Sequence, residues 1–503
     1  GVGRLSKKFN YNTFGELTST TDFDNIPTTY TNNIYGLPLI IERALGNTLT
    51  LSYDKLGRKL TETDAIGRTT TYTYDGAGNT LSEQRSRGCT LGNQLITRTM
   101  VYTERNSLMS EQDWNGNTTS YDYDGAERLI AVHLPLSRVT YGLDKNGNRK
   151  TESYTIDAGR SGTIHRSFNE QNQVVSEIDG DGNQQTWEYD TAGNQTKATN
   201  KSQLVTINEY DAYNRRISTT QNGTPQRKTL YEYDLNGWLV KQTELSNSGD
   251  PRVTKQKYDE LGRVIETKIS QGTDSAVTFQ KYNPLGNLIS ETDPVSSTTS
   301  YEYDSLYRRV TSTNALDEKT TNTYDLVGRL LTQSNPNGNQ QNYTYNDSDL
   351  VTQHNDSLGI VSASKYDCQG NQISNTDGKG NTTSYEYNAL NQQTKVTLPT
   401  TDKYTYTYNH QGQVLTESNP LGSRRTLTYN NQGAVLTEQD FNGHTTRYSR
   451  DALGNPISIT DPLGNTTSYE YNKYGDATQI TDPLYTQTFD YDSFGRQIKS
   501  TDR

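Results

Sequence analysis

Short runs of alternating apolar and polar residues, separated by turn residues, make up almost the whole chain. In segment 461–484, DPLGNTTSYEYNKYGDATQITDPL, one run ends at Tyr471 and a second spans Ala477 to Thr481. Side chains of a strand alternate between its two faces, and tyrosine and threonine favour strands, so each run predicts a β-strand. The two runs and the turn between them predict a β-hairpin that continues into the next hairpin.

The turn residues predict the geometry of the connections. The turns Asp461-Pro462-Leu463-Gly464 and Asn472-Lys473-Tyr474-Gly475 begin with an Asx acceptor and have glycine fourth. This order is typical of a type I turn whose fourth residue has a positive φ and forms a G1 bulge between antiparallel strands.

Some copies lack the fourth-position glycine. Asparagine and aspartate tolerate the left-handed region best among other residues, so they support the same geometry. They occur at Asn172, Asn214, Asn391 and Asp349. Glu127 and Tyr307 do not fit this rule, and an altered turn is expected at both.

The hairpin recurs with a fixed period. Between residues 282 and 471 the strand-ending tyrosine returns every 21 residues, with Arg450 in its place once. Such self-similarity marks a repeat architecture, so residues 1–503 are predicted to be one continuous region of roughly 22 hairpins. Earlier copies are spaced less evenly, and their insertions, such as Ser86 to Asn93 and Ser246 to Arg252, are expected to form loops at hairpin ends.

An aliphatic residue stands three positions after the turn glycine in most copies, as at Leu60, Ile265 and Leu331. Equivalent residues of successive hairpins lie two strands apart, about 9.6 Å, and are expected to form a stripe with tyrosines packed between them. The sheet is therefore predicted to be held by aromatic and aliphatic ladders rather than by a thick core.

A sheet of some forty strands is expected to coil, since twisted sheets rarely exceed about ten strands without curling. A tight coil would be a solenoid with a packed interior, and a wide coil would be a hollow shell. The strands alternate tyrosine and aliphatic residues with Thr, Ser, Gln, Asn and Glu. This polar content favours the wide coil.

Composition narrows the possible functions. Hydrophobic residues are 30% of the chain and the mean hydropathy is -0.94, but the net charge is only -11 and 37 tyrosines are present. These last two features oppose disorder. Acidic residues (59) outnumber basic ones (48), so a nucleic-acid surface is not expected. No apolar run approaches a membrane span.

Candidate chemistry is sparse. Cys89 and Cys368 lie far apart without metal-site or framework spacing, and are predicted to be unrelated thiols. The five histidines fit no catalytic or zinc motif. Segment 179–183, DGDGN, begins like a calcium loop, but Gln184 stands where glycine is required, so a hairpin turn is predicted. We therefore predict no enzyme activity and no catalytic, cofactor-binding or metal-binding residue.

Four copies, YDKLGR, YDELGR, YDLVGR and YDSFGR, resemble the YD repeats of the Rhs family. That family includes bacterial Rhs polymorphic toxins, the cage-forming B and C components of Tc toxins, wall-associated bacterial proteins and animal teneurins. The repeat-turn and ladder residues of these copies are Tyr53, Asp54, Gly57, Arg58, Tyr258, Asp259, Gly262, Arg263, Tyr324, Asp325, Gly328, Arg329, Tyr491, Asp492, Gly495 and Arg496.

The resemblance implies an all-β fold in which tandem hairpins form one long coiled sheet, a hollow spiral shell. In the toxins such a shell encloses a cytotoxic C-terminal polypeptide. It implies a secreted or cell-surface protein, monomeric, with that cargo as partner and with secretion-system or cell-surface proteins as further partners. No plug, core-protease or toxin domain is expected within residues 1–503, and DPLGN at Asp461 lacks the continuation that self-cleavage would need. The chain opens in mid-pattern at Gly1 and is interpreted as a piece of a longer protein.

The leading hypothesis is therefore a non-enzymatic shell or scaffold that encloses a polypeptide cargo. The alternative is an extracellular, wall-associated adhesion protein whose outer faces and longer loops bind a carbohydrate or protein partner. A third, weaker hypothesis is an enzyme with its site in an inserted loop.

Overall fold

The computed structural model describes residues 6–89, 92–157, 159–247 and 249–502. In these residues 46 β-strands form one antiparallel sheet, and the helical element is a single 3₁₀ turn, Ala44–Gly46. No helix in this part of the chain is long and apolar enough to cross a membrane. The predicted fold class, all-β with tandem hairpins in one long sheet, is confirmed.

The strands follow one another in chain order and pair with sequence neighbours, as β5 does with β6 and β6 with β7. The first 24 are β1 Lys8–Tyr11, β2 Leu17–Thr21, β3 Pro27–Asn32, β4 Pro38–Glu42, β5 Thr48–Tyr53, β6 Lys59–Thr63, β7 Thr69–Tyr74, β8 Thr80–Cys89, β9 Gly92–Tyr102, β10 Leu108–Gln112, β11 Thr118–Tyr123, β12 Leu129–His133, β13 Arg138–Leu143, β14 Arg149–Asp157, β15 Arg160–Phe168, β16 Val174–Ile178, β17 Gln184–Tyr189, β18 Gln195–Thr199, β19 Val205–Tyr210, β20 Arg216–Gln221, β21 Arg227–Tyr233, β22 Leu239–Leu245, β23 Arg252–Tyr258 and β24 Val264–Gln271.

The remaining 22 are β25 Asp274–Tyr282, β26 Leu288–Thr292, β27 Thr298–Tyr303, β28 Arg309–Thr313, β29 Lys319–Tyr324, β30 Leu330–Ser334, β31 Gln340–Tyr345, β32 Val351–Asp356, β33 Gly359–Tyr366, β34 Gln372–Asp377, β35 Thr382–Tyr387, β36 Gln393–Thr397, β37 Lys403–Tyr408, β38 Val414–Ser418, β39 Arg424–Tyr429, β40 Val435–Gln439, β41 Thr445–Arg450, β42 Pro456–Thr460, β43 Thr466–Tyr471, β44 Ala477–Thr481, β45 Thr486–Tyr491 and β46 Gln497–Asp502.

The chain divides into two compact units. Unit 1 contains Gly1–Ser120 and Thr278–Lys403, and unit 2 contains Tyr121–Val277 and Tyr404–Arg503. Each unit thus combines two strips of hairpins from distant parts of the sequence. In each unit we call the earlier segment the first strip and the later segment the second strip.

Two kinds of turn alternate along the sheet. We call the turns after the strand-ending tyrosine YD turns and the alternate turns DP turns, whatever residues they contain. In the YD turn 54–57 the Gly57 N–H donates to the Asp54 carbonyl at 3.1 Å, and the Asp54 N–H donates to the Arg58 carbonyl at 2.9 Å. Gly57 has a φ of +79°. This is the hydrogen bonding expected of the predicted turn with its G1 bulge.

Residues other than glycine adopt the same conformation at the fourth position. Asparagine or aspartate does so, as predicted, at Asn172, Asn214, Asn391 and Asp349. Glu127 and Tyr307 also do so, each with a φ of 61°, and their N–H groups keep the turn hydrogen bond at 3.0 and 2.9 Å. The prediction of altered turns at these two residues is therefore wrong.

The first residue of the turn explains this tolerance. The Asp124 carboxylate accepts hydrogen bonds from the N–H groups of Ala126, at 2.9 Å, and Arg128, at 3.0 Å, so the turn around Glu127 is fixed from within. These bonds offset the cost of a left-handed non-glycine residue, about 1–2 kcal/mol.

A one-residue bulge displaces the aliphatic position. Tyr53 pairs with Lys59 and Ser52 pairs with Thr61, so Leu60 lies in the register shift between them. The residue directly opposite the tyrosine is thus two positions after the turn glycine and not three. It is Lys59 in this copy, and it is aliphatic in other copies, as in the pairs Tyr258–Val264 and Tyr324–Leu330. The bulge inserts one residue on this side of the hairpin, which the spacing alone does not reveal.

Few apolar side chains are buried in the described residues. They are Leu51, Met100, Ala131, Ile156, Leu204, Leu427 and Tyr429. The described sheet therefore lacks a thick core, as predicted.

The first insertion lengthens a hairpin instead of forming a loop. β8 and β9 have 10 and 11 residues and pair as far as Cys89 and Gly92, while Thr90 and Leu91 lie outside the described residues. The second insertion, between Leu245 and Arg252, is a loop as predicted, apart from Ser248, which is outside the described residues.

Candidate functional site

The aspartate of each predicted YD turn organises that turn. One Asp54 carboxylate oxygen accepts the N–H groups of Leu56 and Arg58, both at 2.9 Å, and the other accepts Arg58 Nε at 2.6 Å. The hydrogen bond from the Arg58 backbone is the main reason that the pKa of Asp54 lies below its usual value. The aspartate–arginine pair recurs in the other three predicted copies, at Asp259–Arg263, Asp325–Arg329 and Asp492–Arg496.

The arginine also joins its turn to the next YD turn. Arg58 Nη1 donates to the Asp75 carbonyl at 2.7 Å, and its guanidinium lies 4.8 Å from the ring centre of Tyr74. Arg329 likewise donates to the Asn346 carbonyl at 3.0 Å. The predicted arginines at these positions therefore link successive turns along one edge of the sheet.

The strand-ending tyrosine links its own strand to the preceding strand. Its hydroxyl donates to the carbonyl of the first residue of the preceding strand, at 2.7–3.0 Å. The pairs in the four predicted copies are Tyr53–Pro38, Tyr258–Leu239, Tyr324–Arg309 and Tyr491–Ala477. Burial raises the pKa of Tyr53, Tyr258 and Tyr491.

Arg450 keeps this link without a tyrosine. Its Nε donates to the Val435 carbonyl at 3.0 Å, the acceptor that a tyrosine would use. Sequence reasoning found the phase of Arg450 but not this hydrogen bond. The available signal was that arginine, like tyrosine, is a long side chain with a terminal donor.

In unit 1 the two strips meet through their turns. The DP turns of the first strip contact YD turns of the second: Asn47 Nδ2 donates to the Leu326 carbonyl at 2.6 Å, and Arg68 pairs with Asp349 at 2.7 Å. The Tyr307 hydroxyl donates to the Asp22 carboxylate, and burial together with Asp22 raises the pKa of Tyr307. We call this set of contacts the seam of unit 1.

A disulfide bond joins the same two strips. Cys89, at the end of β8, is bonded to Cys368 in a YD turn of the second strip, with 4.8 Å between their Cα atoms and 279 residues between them in sequence. Arg87 Nη1 donates to the Cys368 carbonyl at 3.1 Å, and Asn346 Nδ2 donates to the Gly88 carbonyl at 3.1 Å. The prediction of two unrelated thiols is therefore wrong, because the strips bring together residues that sequence spacing keeps apart.

A small charged cavity of about 200 Å³ lies along this seam, lined by Arg68, Arg85, Arg87 and Asp349 among others. Burial, and then the neighbouring Arg85, lower the pKa of Arg87. Arg68 is already paired with Asp64 in its own turn and with Asp349 across the seam. The cavity therefore lies where hydrogen-bonded turns of the two strips meet.

The seam of unit 2 has the same plan with different chemistry. Tyr474, in a YD turn of the second strip, donates its hydroxyl to the carbonyls of Gln221, at 3.0 Å, and Pro225, at 2.8 Å. Arg227 stacks on the Tyr474 ring with 3.6 Å between guanidinium carbon and ring centre, and pairs with Asp476 at 2.8 Å.

The calcium-like segment 179–183 is part of this seam. The Asp179 N–H donates to the Asn183 carbonyl at 3.0 Å, which confirms the predicted hairpin turn. The Asp179 carboxylate accepts Lys201 Nζ and the Gln432 side chain, both at 2.5 Å. Across the described residues no group of three or more His, Cys, Asp or Glu side chains could hold a metal ion.

Comparison with known families agrees with this repeated geometry. The sequence profile of the teneurin YD-shell matches residues 323–502, and that of the RHS repeat matches residues 53–88, 168–203 and 282–319. The chain is a YD-repeat protein of the Rhs family. The matched segments lie in both units, so the YD repeats are not confined to one of them. Among curated proteins none matches the chain in sequence.

Several solved structures are similar to the YD-repeat chain. A crystal structure of TcdB2-TccC3-Cdc42 is 12% identical, with a TM-score of 0.46, over 98% of this chain and 39% of that one. A crystal structure of TcdB2-TccC3-TEV is 12% identical, with a TM-score of 0.44, over 96% and 39%. The Photorhabdus luminescens Tc holotoxin pore is 13% identical, with a TM-score of 0.41, over 97% and 39%. The chain spans about two fifths of the length of these structures.

Proposed function

We propose that this YD-repeat chain is part of the wall of a hollow shell that encloses a polypeptide cargo, a toxin in the bacterial branch of the family. Its role is structural and not catalytic. The family resemblance implies such a shell, and we apply this architecture to the hairpin repeats of this chain.

The observation that carries the proposal is how the strips of one unit meet. The hydrogen bonds, ion pairs and disulfide between them come from turns and hairpin ends, as at Asn47–Leu326 in unit 1 and Asp476–Arg227 in unit 2. Strips joined at their edges build a wall one sheet thick, whereas strips packed face to face would build a solid core about 10 Å between sheets. The scarcity of buried apolar side chains supports the thin wall.

The disulfide supports a secreted or cell-surface location. Disulfides persist in oxidising compartments and are rare in the cytosol of most organisms. Cys89–Cys368 would therefore be stable outside the cell. In the full-length protein we expect the enclosed polypeptide as the main partner, with secretion-system or cell-surface proteins as further partners.

Electron cryo-microscopy of the full-length protein tests the proposal. We expect a hollow body whose wall is one sheet thick, with additional polypeptide density inside it. A solid rod, or an empty shell whose cargo segment is digested by protease as fast as an unfolded peptide, would contradict it.

The adhesion hypothesis gains no specific support. Both segments that it would use for binding contact the second strip, since Gly88 accepts Asn346 in unit 1 and the Asn247 N–H donates to Ser493 Oγ at 3.3 Å in unit 2. The enzyme hypothesis likewise has no observation in its favour among the described residues.

A further inference from the structure

Two arginines that line the seam cavity of unit 1 form no ion pair with any described carboxylate. Arg85 and Arg87 lie two positions apart on β8, so their side chains leave the strand on the same face. Asp367 is near enough to act on the charge of Arg87 but forms no ion pair with it. The turn arginines Arg58 and Arg329, in contrast, are both paired with aspartate. Positive charge is therefore left unbalanced at Arg85 and Arg87.

The carboxylates that line the cavity do not supply the missing charge, because they are engaged elsewhere. Asp64 and Asp349 both pair with Arg68, at 2.6 and 2.7 Å. The lining carboxylates, each of which has another partner, are Glu62, Asp64, Asp347 and Asp349.

Arg166, in unit 2, shows how a half-buried arginine is balanced in this protein. It bonds Glu177 at 2.7 Å and Glu152 at 3.0 Å. Burial acts to lower the pKa of Arg166, but the hydrogen bonds to the two glutamates raise it above the ordinary value. Arg87 is also half-buried, and burial followed by the charge of Arg85 lowers its pKa. An anion beside Arg87 would supply what the two glutamates supply to Arg166.

Both guanidinium groups in the cavity are held in place, and Arg87 has donors to spare. Arg87 Nη1 donates to the Cys368 carbonyl at 3.1 Å and to Asn115 Oδ1 at 3.4 Å, while its Nε and Nη2 have no acceptor among the described residues. The Arg85 guanidinium lies 4.5 Å from the ring centre of Trp114. A guanidinium carries five N–H donors in a fork that fits the oxygens of phosphate, so these two groups are suited to bind an oxyanion.

The second strip contributes an unused hydroxyl to the same cavity. Ser348 lies in the YD turn 346–349, and its Oγ is buried without a hydrogen-bond partner among the described residues. Most buried polar atoms have a partner, and one without a partner is unfavourable. The turn is fixed against β8, since Asn346 Nδ2 donates to the Gly88 carbonyl at 3.1 Å. The cavity thus combines two cationic forks from one strip with a hydroxyl donor from the other.

We propose that this cavity binds one doubly charged oxyanion, phosphate or sulfate, through Arg85 and Arg87 of the first strip and Ser348 of the second. Two guanidinium charges match such an ion, and a cavity of about 200 Å³ has room for it together with water. An ion that touches both strips binds the closed seam better than an open one, so it stabilises this seam by mass action. The proposal does not depend on the enclosed cargo.

Isothermal titration calorimetry with inorganic phosphate, and in parallel with sulfate, tests the proposal at constant ionic strength in chloride. We expect one ion per chain with a dissociation constant of about 1 mM or below. Arg85→Gln should weaken binding at least about tenfold, because a charge-assisted hydrogen bond is lost. Arg149→Gln is the matched control, since Arg149 is also an exposed arginine on an aromatic ring, 3.9 Å from the ring centre of Tyr141, without an ion pair among the described residues. It should bind like the unaltered chain.

Ser348→Ala separates binding from folding. The hydroxyl that it removes has no partner among the described residues, so hydrogen exchange in the 346–349 turn should not rise in the absence of phosphate. The affinity for phosphate should nevertheless fall about tenfold. In the unaltered chain, phosphate should slow exchange in this turn and in β8 and leave peptides around Tyr474 unchanged.

Titration with methyl phosphate distinguishes the two sources of the same group. Tighter binding of inorganic phosphate assigns the cavity to the free ion, and tighter or equal binding of methyl phosphate assigns it to the end of an ester. The proposal would be overturned by an absence of saturable binding, by equal binding of chloride, by unchanged affinity in both Arg85→Gln and Ser348→Ala, or by an equal loss in Arg149→Gln.

Discussion

The seams of the two units follow one plan but are closed by different chemistry. In unit 1 the long β8–β9 hairpin is bonded covalently to a YD turn through Cys89 and Cys368. In unit 2 a YD turn presents Tyr474 and Asp476 to a hairpin end that carries Arg227. The comparison teaches that the turn geometry sets where two strips meet. The residues at the longer hairpin ends set how stable the contact between the strips is, and whether that stability depends on a disulfide.

The largest difference should appear on reduction. Breaking Cys89–Cys368 removes a cross-link across 279 residues, and disulfides typically stabilise by about 2–4 kcal/mol. We expect hydrogen exchange to rise in β8, β9 and the 366–371 turn, while peptides around Tyr474 stay unchanged. Cys368→Ser without reductant should reproduce the effect. Unchanged exchange in unit 1 after complete reduction would contradict the role of the disulfide in this seam.

A glycine substitution tests the positive φ of a single turn. Gly328 has a φ of +95°, so Gly328→Val forces a branched side chain into a disfavoured conformation that costs about 1–3 kcal/mol. We expect faster hydrogen exchange in β29 and β30. Gly76→Val is the matched control, because Gly76 lies in a YD turn outside the positive-φ region with open space around it. Equal effects of the two substitutions would count against the turn geometry.

A hydroxyl deletion tests the unit 2 seam. Tyr474→Phe removes the donor to Gln221 and Pro225 but keeps the ring against Arg227. Leaving two part-buried carbonyls without this donor should cost about 1 kcal/mol, measured as faster exchange in β20 and β21. Tyr213→Phe, at the same turn position in the first strip but exposed, should change nothing measurable. Similar effects at both tyrosines would show that the hydroxyl contacts do not hold the seam.

The smallest expected effect is a difference in pH dependence between turns that begin with aspartate and turns that begin with asparagine. The side-chain hydrogen bond from Asn194 is the main cause that lowers the pKa of Asp190, so this turn gains stability above the ordinary aspartate pKa, about 3.9, and loses it as pH falls further. The equivalent Asn409 does not titrate. In selectively labelled protein, the amide resonance of Asn194 should shift between pH 5 and pH 2.5, and that of Gln413 should not. Parallel shifts at both would contradict the assignment.

Much of the fold could be predicted because each hairpin is specified locally. The alternation around Tyr471 and the aspartate-to-glycine spacing at Asp54 and Gly57 contain the strand, the turn and the positive φ. Residue preference alone gives the wrong turn geometry at Glu127 and Tyr307, because it ignores the hydrogen bonds that the first turn residue supplies.

The seams could not be predicted from the sequence. Repeat spacing describes neighbours in the chain, but Cys89 and Cys368, or Arg227 and Asp476, meet only because two distant strips lie edge to edge. The tyrosine and arginine links to neighbouring turns are different, since each spans one repeat. They escaped prediction because a hydrogen bond to a backbone carbonyl places no demand on the identity of the accepting residue.

Peptide mapping of the non-reduced protein, recovered from an oxidising compartment and alkylated before digestion, tests the docking of turns between strips most directly. We expect one disulfide-linked peptide pair that contains Cys89 and Cys368 and disappears on reduction. Recovery of both cysteines as alkylated free thiols from the folded protein would contradict the account.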